Sequence, residues 1–193
     1  MKSYSVFFAN YTIGEDAYEQ VVPVCAPHGS RILLIGGEKA MAAAGNLLKD
    51  AIKGSSLELV DEVVFGKDCT YGSIDRWAAY AKEQQADMIF GMGGGKALDT
   101  AKGAAAKAGL PVFTFPTIAA TCAATTALSV VYKEDGNFDS FYFFDRPARH
   151  CFIHTSVIAR APFIYLRAGM GDTIGKFFEC HFSARGDKLE HSS

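Results

Sequence analysis

The chain has 193 residues, a formal net charge of -2 and 49% hydrophobic residues, enough for one well-packed core or for one domain and part of another. The balanced charge offers no basic face for nucleic acid, and no apolar run approaches the roughly 20 residues of a membrane span. The apolar patch near the N-terminus turns acidic too soon for a secretion signal, and five scattered cysteines without a CxxC pair suit reduced thiols in a cytoplasm.

In chain order, residues 5–9 read as a β-rich run, residues 10–15 as turn chemistry and residues 16–25 as a short helix. Residues 31–35 (RILLI) form a buried-strand run that stops at Gly36-Gly37. Residues 38–53 are rich in Ala, Leu and Lys and predict a helix, with Gly54 just past its end. A second strand follows over residues 57–65. Ser73 is the expected N-cap of a helix running to Gln85, with Asp75 in its first turn. Residues 88–90 predict a third strand, residues 96–107 its helix, and residues 111–116 (PVFTFP) a fourth strand after Gly109. Strands alternating with helices of this length predict an α/β fold with a mostly parallel sheet. After Thr126 the texture changes. Residues 128–132 and 138–144 flank Asp135-Gly136, a hairpin signal, and residues 150–154 read as another strand. Ala161-Pro162 breaks the chain, and from Phe163 onward Leu166, Met170, Ile174, Phe177 and Phe178 recur at helical spacing. The expected boundary lies near Arg160, between an α/β domain over residues 1–160 and the start of a helical domain over residues 161–193.

The stretch richest in chemistry is MIFGMGGGKALDTAK, residues 88–102. A short apolar run ends in Gly91, Gly93, Gly94 and Gly95, and a helix former's sequence begins at Lys96. Such a turn lets backbone approach a ligand closely. It also points the free N–H groups and positive dipole end of the new helix at an anion. Lys96 adds a point charge. The spacing matches neither GxxxxGK[ST] nor GxGxxG, and the same glycines also suit a plain strand-to-helix connection. In open parallel sheets ligands lie beyond the carboxyl ends of the strands. Gly36-Gly37, residues 91–95 and residues 117–122 are three such ends, so one crevice could gather all three.

GGGKALDTAK, FPTIAATCAATTALSVVY and AGMGDTIGKFFE occur in that order. Together they resemble the glycerol-dehydrogenase branch of the iron-containing, or group III, alcohol dehydrogenases. The resemblance implies a Rossmann-like dinucleotide-binding domain of the dehydroquinate synthase type, followed by an all-helical domain. It further implies a divalent metal, zinc or iron, in the cleft between them. Carried over by position, Gly93, Gly94, Gly95, Lys96 and Asp99 would hold the cofactor's pyrophosphate region. Thr117, Ala120, Thr126, Leu128 and Tyr132 would line the cofactor, and Asp172 in AGMGD matches the metal-binding aspartate.

Within that branch PTIAATCAA is most similar to hydroxycarboxylate dehydrogenases that reduce 2-oxo acids. Glycerol dehydrogenases carry an aspartate where this chain has Cys122. A carboxylate accepts hydrogen bonds from a polyol but repels a carboxylate substrate, whereas a neutral thiol does neither strongly. A small buried residue is the plainer reading of the same cysteine. NAD-preferring members place an acid where this chain has Gly37, so NADP is favoured over NAD, with Lys39 able to pair with a 2′-phosphate. Glu38 argues the other way if it turns inward. The family's two histidine ligands have no match, since His181 and His191 lie outside the corresponding motifs, and a working zinc site needs about three protein ligands.

The expectation is therefore part of an NAD(P)-dependent, metal-assisted oxidoreductase acting on a small 2-hydroxy acid or alcohol, inactive alone. Glycerol dehydrogenase and a nucleotide-binding module without chemistry are the alternatives. The expected partners are a small-molecule substrate and, in the complete protein, further copies of itself. The stripe of residues 166–178 offers an apolar face for either a second domain or a dimer.

Overall fold

Burial on both faces of the central strands builds the sheet, and the alternating direction of their side chains decides which residues each helix covers. The computed structural model describes residues 9–184. Its strands are β1 (Asn10–Gly14), β2 (Arg31–Gly36), β3 (Glu58–Val64), β4 (Met88–Gly93), β5 (Val112–Pro116), β6 (Leu128–Tyr132), β7 (Phe138–Phe143) and β8 (His150–His154). The helices are α1 (Val21–Cys25), α2 (Glu38–Ile52), α3 (Tyr71–Glu83), α4 (Gly95–Ala108), α5 (Thr155–Arg160) and α6 (Phe163–Ala184), with 3-10 turns on either side of α1. Six strands form one sheet in the order β1-β8-β5-β4-β2-β3, and β6 and β7 form a separate two-stranded sheet. Every pairing in the large sheet is parallel.

Ile32 and Leu34 of β2 and Met88, Phe90 and Met92 of β4 point to one face, where they pack with Ala44, Leu48 and Ile52 of α2 and with Tyr18, Val21 and Cys25. Leu33, Ile35 and Ile89 point to the other face and meet Trp77, Ala78 and Ala81 of α3 and Ala101, Ala104 and Ala105 of α4. Buried on both faces, these strands read as continuous apolar runs. Gly91 belongs to the second face. A Cβ on it would stand 2.7 Å from the Ala101 Cβ, so its missing side chain lets α4 lie close on β4. The antiparallel hairpin β6-β7 packs Val131, Tyr132 and Tyr142 against Cys69 and Ile74 at the start of α3.

Three local readings of the sequence change. Residues 10–14 are a strand, not a turn. They pair along their whole length with β8, from Asn10 opposite His150 to Gly14 opposite His154, and the Thr12 hydroxyl bonds the His150 ring at 2.8 Å. NYTIG carries Asn and Gly, which speak for a turn locally; the pairing partner 140 residues later overrides them. The strand expected over residues 5–9 lies outside the described residues except for Ala9. Next, β4 continues through its glycines to Gly93 rather than ending at Phe90, because β2 and β5 both pair with those positions.

The third change is at α3, whose N-cap is Thr70, while Ser73 is the third helical residue. The Thr70 hydroxyl accepts from the Ser73 amide at 3.1 Å, and the Ser73 hydroxyl accepts from the Thr70 amide at 3.0 Å. This reciprocal pair satisfies two amides at once. Thr70→Ala is therefore expected to lower stability by about 1 kcal/mol, read as a lower urea midpoint at unchanged slope. An unchanged midpoint would show that the box contributes nothing.

Candidate functional site

The strand order reverses between β2 and β4. From β2 the chain moves outward to β3, then crosses back to β4 on the other side of β2. A crevice opens at such a point beyond the carboxyl ends of the strands. Its floor is tied by backbone: the Gly37 amide donates to the Met92 carbonyl at 3.1 Å, and the Thr117 amide donates to the Gly93 carbonyl at 3.1 Å. Gly93 has φ +146°, a conformation that side chains rarely adopt. A Cβ there would lie 3.0 Å from the Ala97 Cβ and 3.6 Å from the Gly37 nitrogen.

Helix α4 starts at this floor. Its N-cap is Gly94, no side chain caps it, and its first turn holds no acid. The first amides and the positive dipole end thus open on the crevice. A Cβ on Gly94 would lie 2.7 Å from the Ile118 Cδ1 and would fill the gap between α4 and the loop after β5. An uncapped helix start kept clear of side chains fits the phosphates of a dinucleotide.

The charges around it are arranged in two pairs. Lys96, in the first turn of α4, is ion-paired with Asp68, and its ammonium lies 5.0 Å from the centre of the Tyr132 ring. The second pair is interior. Lys102 is 2% exposed and meets the Asp99 carboxylate at 2.9 Å. The Lys102 ammonium also donates to the carbonyl oxygens of Ala123 at 2.7 Å and Leu128 at 2.5 Å. It reaches the Thr126 carbonyl at 3.3 Å and hydroxyl at 3.2 Å. Asp99 in turn accepts from the Val130 amide at 3.2 Å. Burial pushes the Asp99 carboxyl up and the Lys102 ammonium down, and each group opposes the other's shift.

The expectation that Asp99 holds a pyrophosphate meets a different geometry. Its carboxylate faces the interior of the fold, because Lys102, one helical turn on, gives it a cation there. Thr126 and Leu128 likewise spend polar groups on Lys102, so these residues shape the crevice from behind. Gly37 and Gly94, by contrast, are at the crevice itself, as is Thr117, which is buried at its wall. Ala120 is half-buried on the same loop, and Lys39 is exposed at the start of α2. Cys122 is exposed at the end of that loop, not the buried thiol of the plainer reading.

Helix α6 meets the loop after β5 at Gly169. A Cβ on Gly169 would collide with the Ala119 carbonyl oxygen, so the bare helix backbone lies directly on the loop of residues 117–122. Asp172 and Lys176 follow Gly169 at three and then four residues, on the same helix face. Both are exposed. Among the described residues no three His, Cys, Asp or Glu side chains come together to hold a metal ion. Asp172 is thus a lone carboxylate, and these residues do not fit a metal centre. His181 lies parallel to the Phe177 ring and edge-on to Phe182, and His191 lies outside the described residues.

Residues 9–149 match the protein family described as iron-containing alcohol dehydrogenase. The chain belongs to that family. It is 34% identical over 175 residues to glycerol dehydrogenase of Escherichia coli O6:H1 (strain CFT073), covering 91% of this chain and 47% of that protein. It is 38% identical over 150 residues to hydroxycarboxylate dehydrogenase A of Escherichia coli K12, covering 78% of this chain and 40% of that protein. The crystal structure of glycerol dehydrogenase from Schizosaccharomyces pombe superposes with a TM-score of 0.81 at 27% identity, covering 92% of this chain and 45% of the other. The chain spans about half the length of these relatives.

Sequence reasoning missed Asp68, Lys102 and Gly169. The three-residue step from Asp99 to Lys102 is a signal that could have found the buried pair. Asp68 and Gly169 had no local signal, because their partners Lys96 and Ala119 are distant in the chain.

Removing one member of the buried pair strands the other charge. Lys102→Met is expected to cost about 3–5 kcal/mol, and Asp99→Asn with Lys102→Met together less than Lys102→Met alone. Urea unfolding of the single and double variants measures this, and purely additive losses would show that the pair is not coupled. For Gly169, an alanine must push α6 off its loop, at a cost of about 1–3 kcal/mol. Gly171 has open space around it, so Gly171→Ala should instead gain up to about 1 kcal/mol of helix propensity. Thermal midpoints of the two variants that move in the same direction would contradict the close contact at Ala119.

Proposed function

We propose that this chain is the dinucleotide-binding part of an NAD(P)-dependent oxidoreductase that interconverts a small 2-hydroxy acid and its 2-oxo form. The observation that carries the reading is the uncapped, glycine-built start of α4 at the point where the strand order reverses. Amides of residues 93–96 would hold the pyrophosphate, with Lys96 leaving Asp68 to add its charge. Gly37 and Lys39 would meet one ribose. Thr117, Ala120, Thr126, Leu128 and Tyr132 would shape the walls along the cofactor, the first two directly and Thr126 and Leu128 through Lys102. Asp99 would act only by keeping Lys102 in place.

A bound nicotinamide would supply or accept the hydride. Residues of this chain would orient it, exclude water from the Thr117 side and present Cys122 to the substrate. Among the described residues Asp172 is the one matched to the family's metal-binding set, and a complete metal centre would need further ligands. Helix α6 leaves Phe163, Leu166, Met170, Ile174, Phe177 and Phe178 exposed. That apolar face, and relatives about twice as long, support a division near Arg160 and a covering helical layer or second copy in the complete protein. The thiols are all free, which suits the reducing cytoplasm. No described helix is long and apolar enough to cross a membrane.

Glycerol oxidation is the second reading, and the similarity to glycerol dehydrogenases supports it equally. What favours the acid is Cys122, which puts an exposed neutral group where a carboxylate would repel an acid. For the cofactor, the lack of an acid at Gly37 and the exposed Lys39 favour NADP. Titration of the protein with NADPH and NADH, followed by cofactor fluorescence, tests the reading. NADPH should bind more tightly, and Lys39→Glu should weaken it by roughly tenfold, about 1.4 kcal/mol, with little effect on NADH. Failure to bind either dinucleotide would end the proposal. Equal binding would end only the preference for NADP.

A further inference from the structure

We propose that a second ligand site lies at the opposite end of α4 from the crevice, in a cavity that takes a small organic anion with an apolar body. This site stands apart from the function proposed above.

A cavity of about 470 Å³ opens there, within the range of small-molecule sites. Lys102, Ala106 and Gly109 form its floor, since steps of four and three residues put them on one face of α4. One wall is Leu110, Pro111 and Val112, where the chain enters β5, and another is the connection from β7 to β8. Pro27 and His28, in the 3-10 turn before β2, complete the lining. These segments lead into the amino ends of β2, β5 and β8, whereas the crevice lies beyond the carboxyl ends of the strands. Helix α4 has 14 residues and so separates the two places by about 20 Å.

The walls are tied down. The Phe144 amide donates to the Ala127 carbonyl at 2.8 Å, and the Arg149 amide donates to the Val112 carbonyl at 2.9 Å. The connection from β7 to β8 is thus held at both ends. The His28 ring meets Phe113 edge-on, with centres 5.4 Å apart. A cavity built in advance spares a ligand the cost of ordering it.

Charge in the lining is one-sided. His28, Lys102, Arg146 and Arg149 line the cavity and no Asp or Glu does, in a chain with 21 acidic residues against 19 Lys and Arg. Asp145, next to Arg146 in the chain, lies outside the lining. Lys102 is matched by Asp99, so the arginines supply the uncompensated charge. Among the described residues the exposed Arg149 side chain has no hydrogen bond or ion pair. The end of α4 does not claim it either. The Gly109 amide turns back to the carbonyls of Ala105 and Ala106, and the Leu110 amide to that of Ala105 at 2.9 Å. A guanidinium pairs with a carboxylate or a phosphate through two parallel hydrogen bonds. Pro27, Leu110, Pro111 and Phe144 set apolar surface beside it. An anionic head on the arginines and an apolar ring or short chain along those walls would use both features.

The test is protein-observed NMR on this chain. Phenyl phosphate and benzoate are the anionic probes, inorganic phosphate is the head alone, and benzyl alcohol is the uncharged body. One or both anionic probes should shift the amides of Gly109, Leu110 and Arg149 saturably and leave those of Gly94 and Gly95 in place, and the tighter of the two identifies the head group. Arg149→Ala is expected to weaken binding roughly 10- to 100-fold, the range for a lost hydrogen bond to a charged group, and Arg149→Lys by less. Ala106→Trp, which adds a ring to the floor from an exposed helix position, should abolish binding, with resonances away from the cavity reporting that the fold is kept. Lys39→Glu should leave probe affinity unchanged. The site would be overturned by silent amides at Gly109, Leu110 and Arg149 with both anions, or by shifts centred on Gly94 and Gly95 that weaken with Lys39→Glu. Affinity untouched by both Arg149→Ala and Ala106→Trp would overturn it equally. Affinity matched by benzyl alcohol or by inorganic phosphate would overturn the ligand class. No arm uses a dinucleotide, so failure of the cofactor titration leaves this site standing.

Discussion

An ammonium buried between α4 and the chain that follows β5 sets the geometry of the whole crevice. Lys102 is neutralised by Asp99 and solvated by carbonyl groups of residues 123, 126 and 128. Taking such a charge out of water costs several kcal/mol, recovered only where partners surround it. Asp99 is in α4 and Leu128 opens β6, while the carbonyls of residues 123 and 126 come from the irregular stretch between β5 and β6. The same desolvation that makes the site costly therefore makes the loop's position strict. The loop cannot drift without uncovering a charge, and it carries Cys122 at one end and the first residues of β6 at the other.

Missing side chains act alongside this charge. Gly91 lets α4 settle on the sheet, Gly93 turns the backbone at positive φ, and Gly94 keeps the helix start clear of Ile118. On the far side Gly169 lets α6 touch the loop backbone. Close packing leaves little tolerance at each of these points. Backbone therefore comes close to backbone around the start of α4, where the positive end of the helix dipole lies.

The described lysines differ in what holds them. Lys96 is held ready beside Asp68 and Tyr132, Lys39 is exposed at the start of α2, and Lys176 is exposed on α6. Among the described ion pairs, only Lys102 and Asp99 have both members buried. This division separates charges that face solvent from charges that hold the frame. Among the described residues no three His, Cys, Asp or Glu side chains come together.

Apolar patterning determined the parallel sheet and its main helices, because burial on both faces of β2 and β4 writes itself as continuous apolar runs, and Asp135-Gly136 marked the hairpin. Ordered motifs were enough to identify the family and to point to the glycine start of α4 and to residues 117–122. Only the tertiary structure decided that residues 10–14 are a strand, since their hydrogen bonds go to β8, far along the chain. Only it turned Asp99 inward, gave Lys96 to Asp68 and laid Gly169 on Ala119. A side chain's orientation depends on which distant partner lowers the cost of burying its charge. Local sequence carries the propensity to form an element, while the partner's position is set when the layers pack.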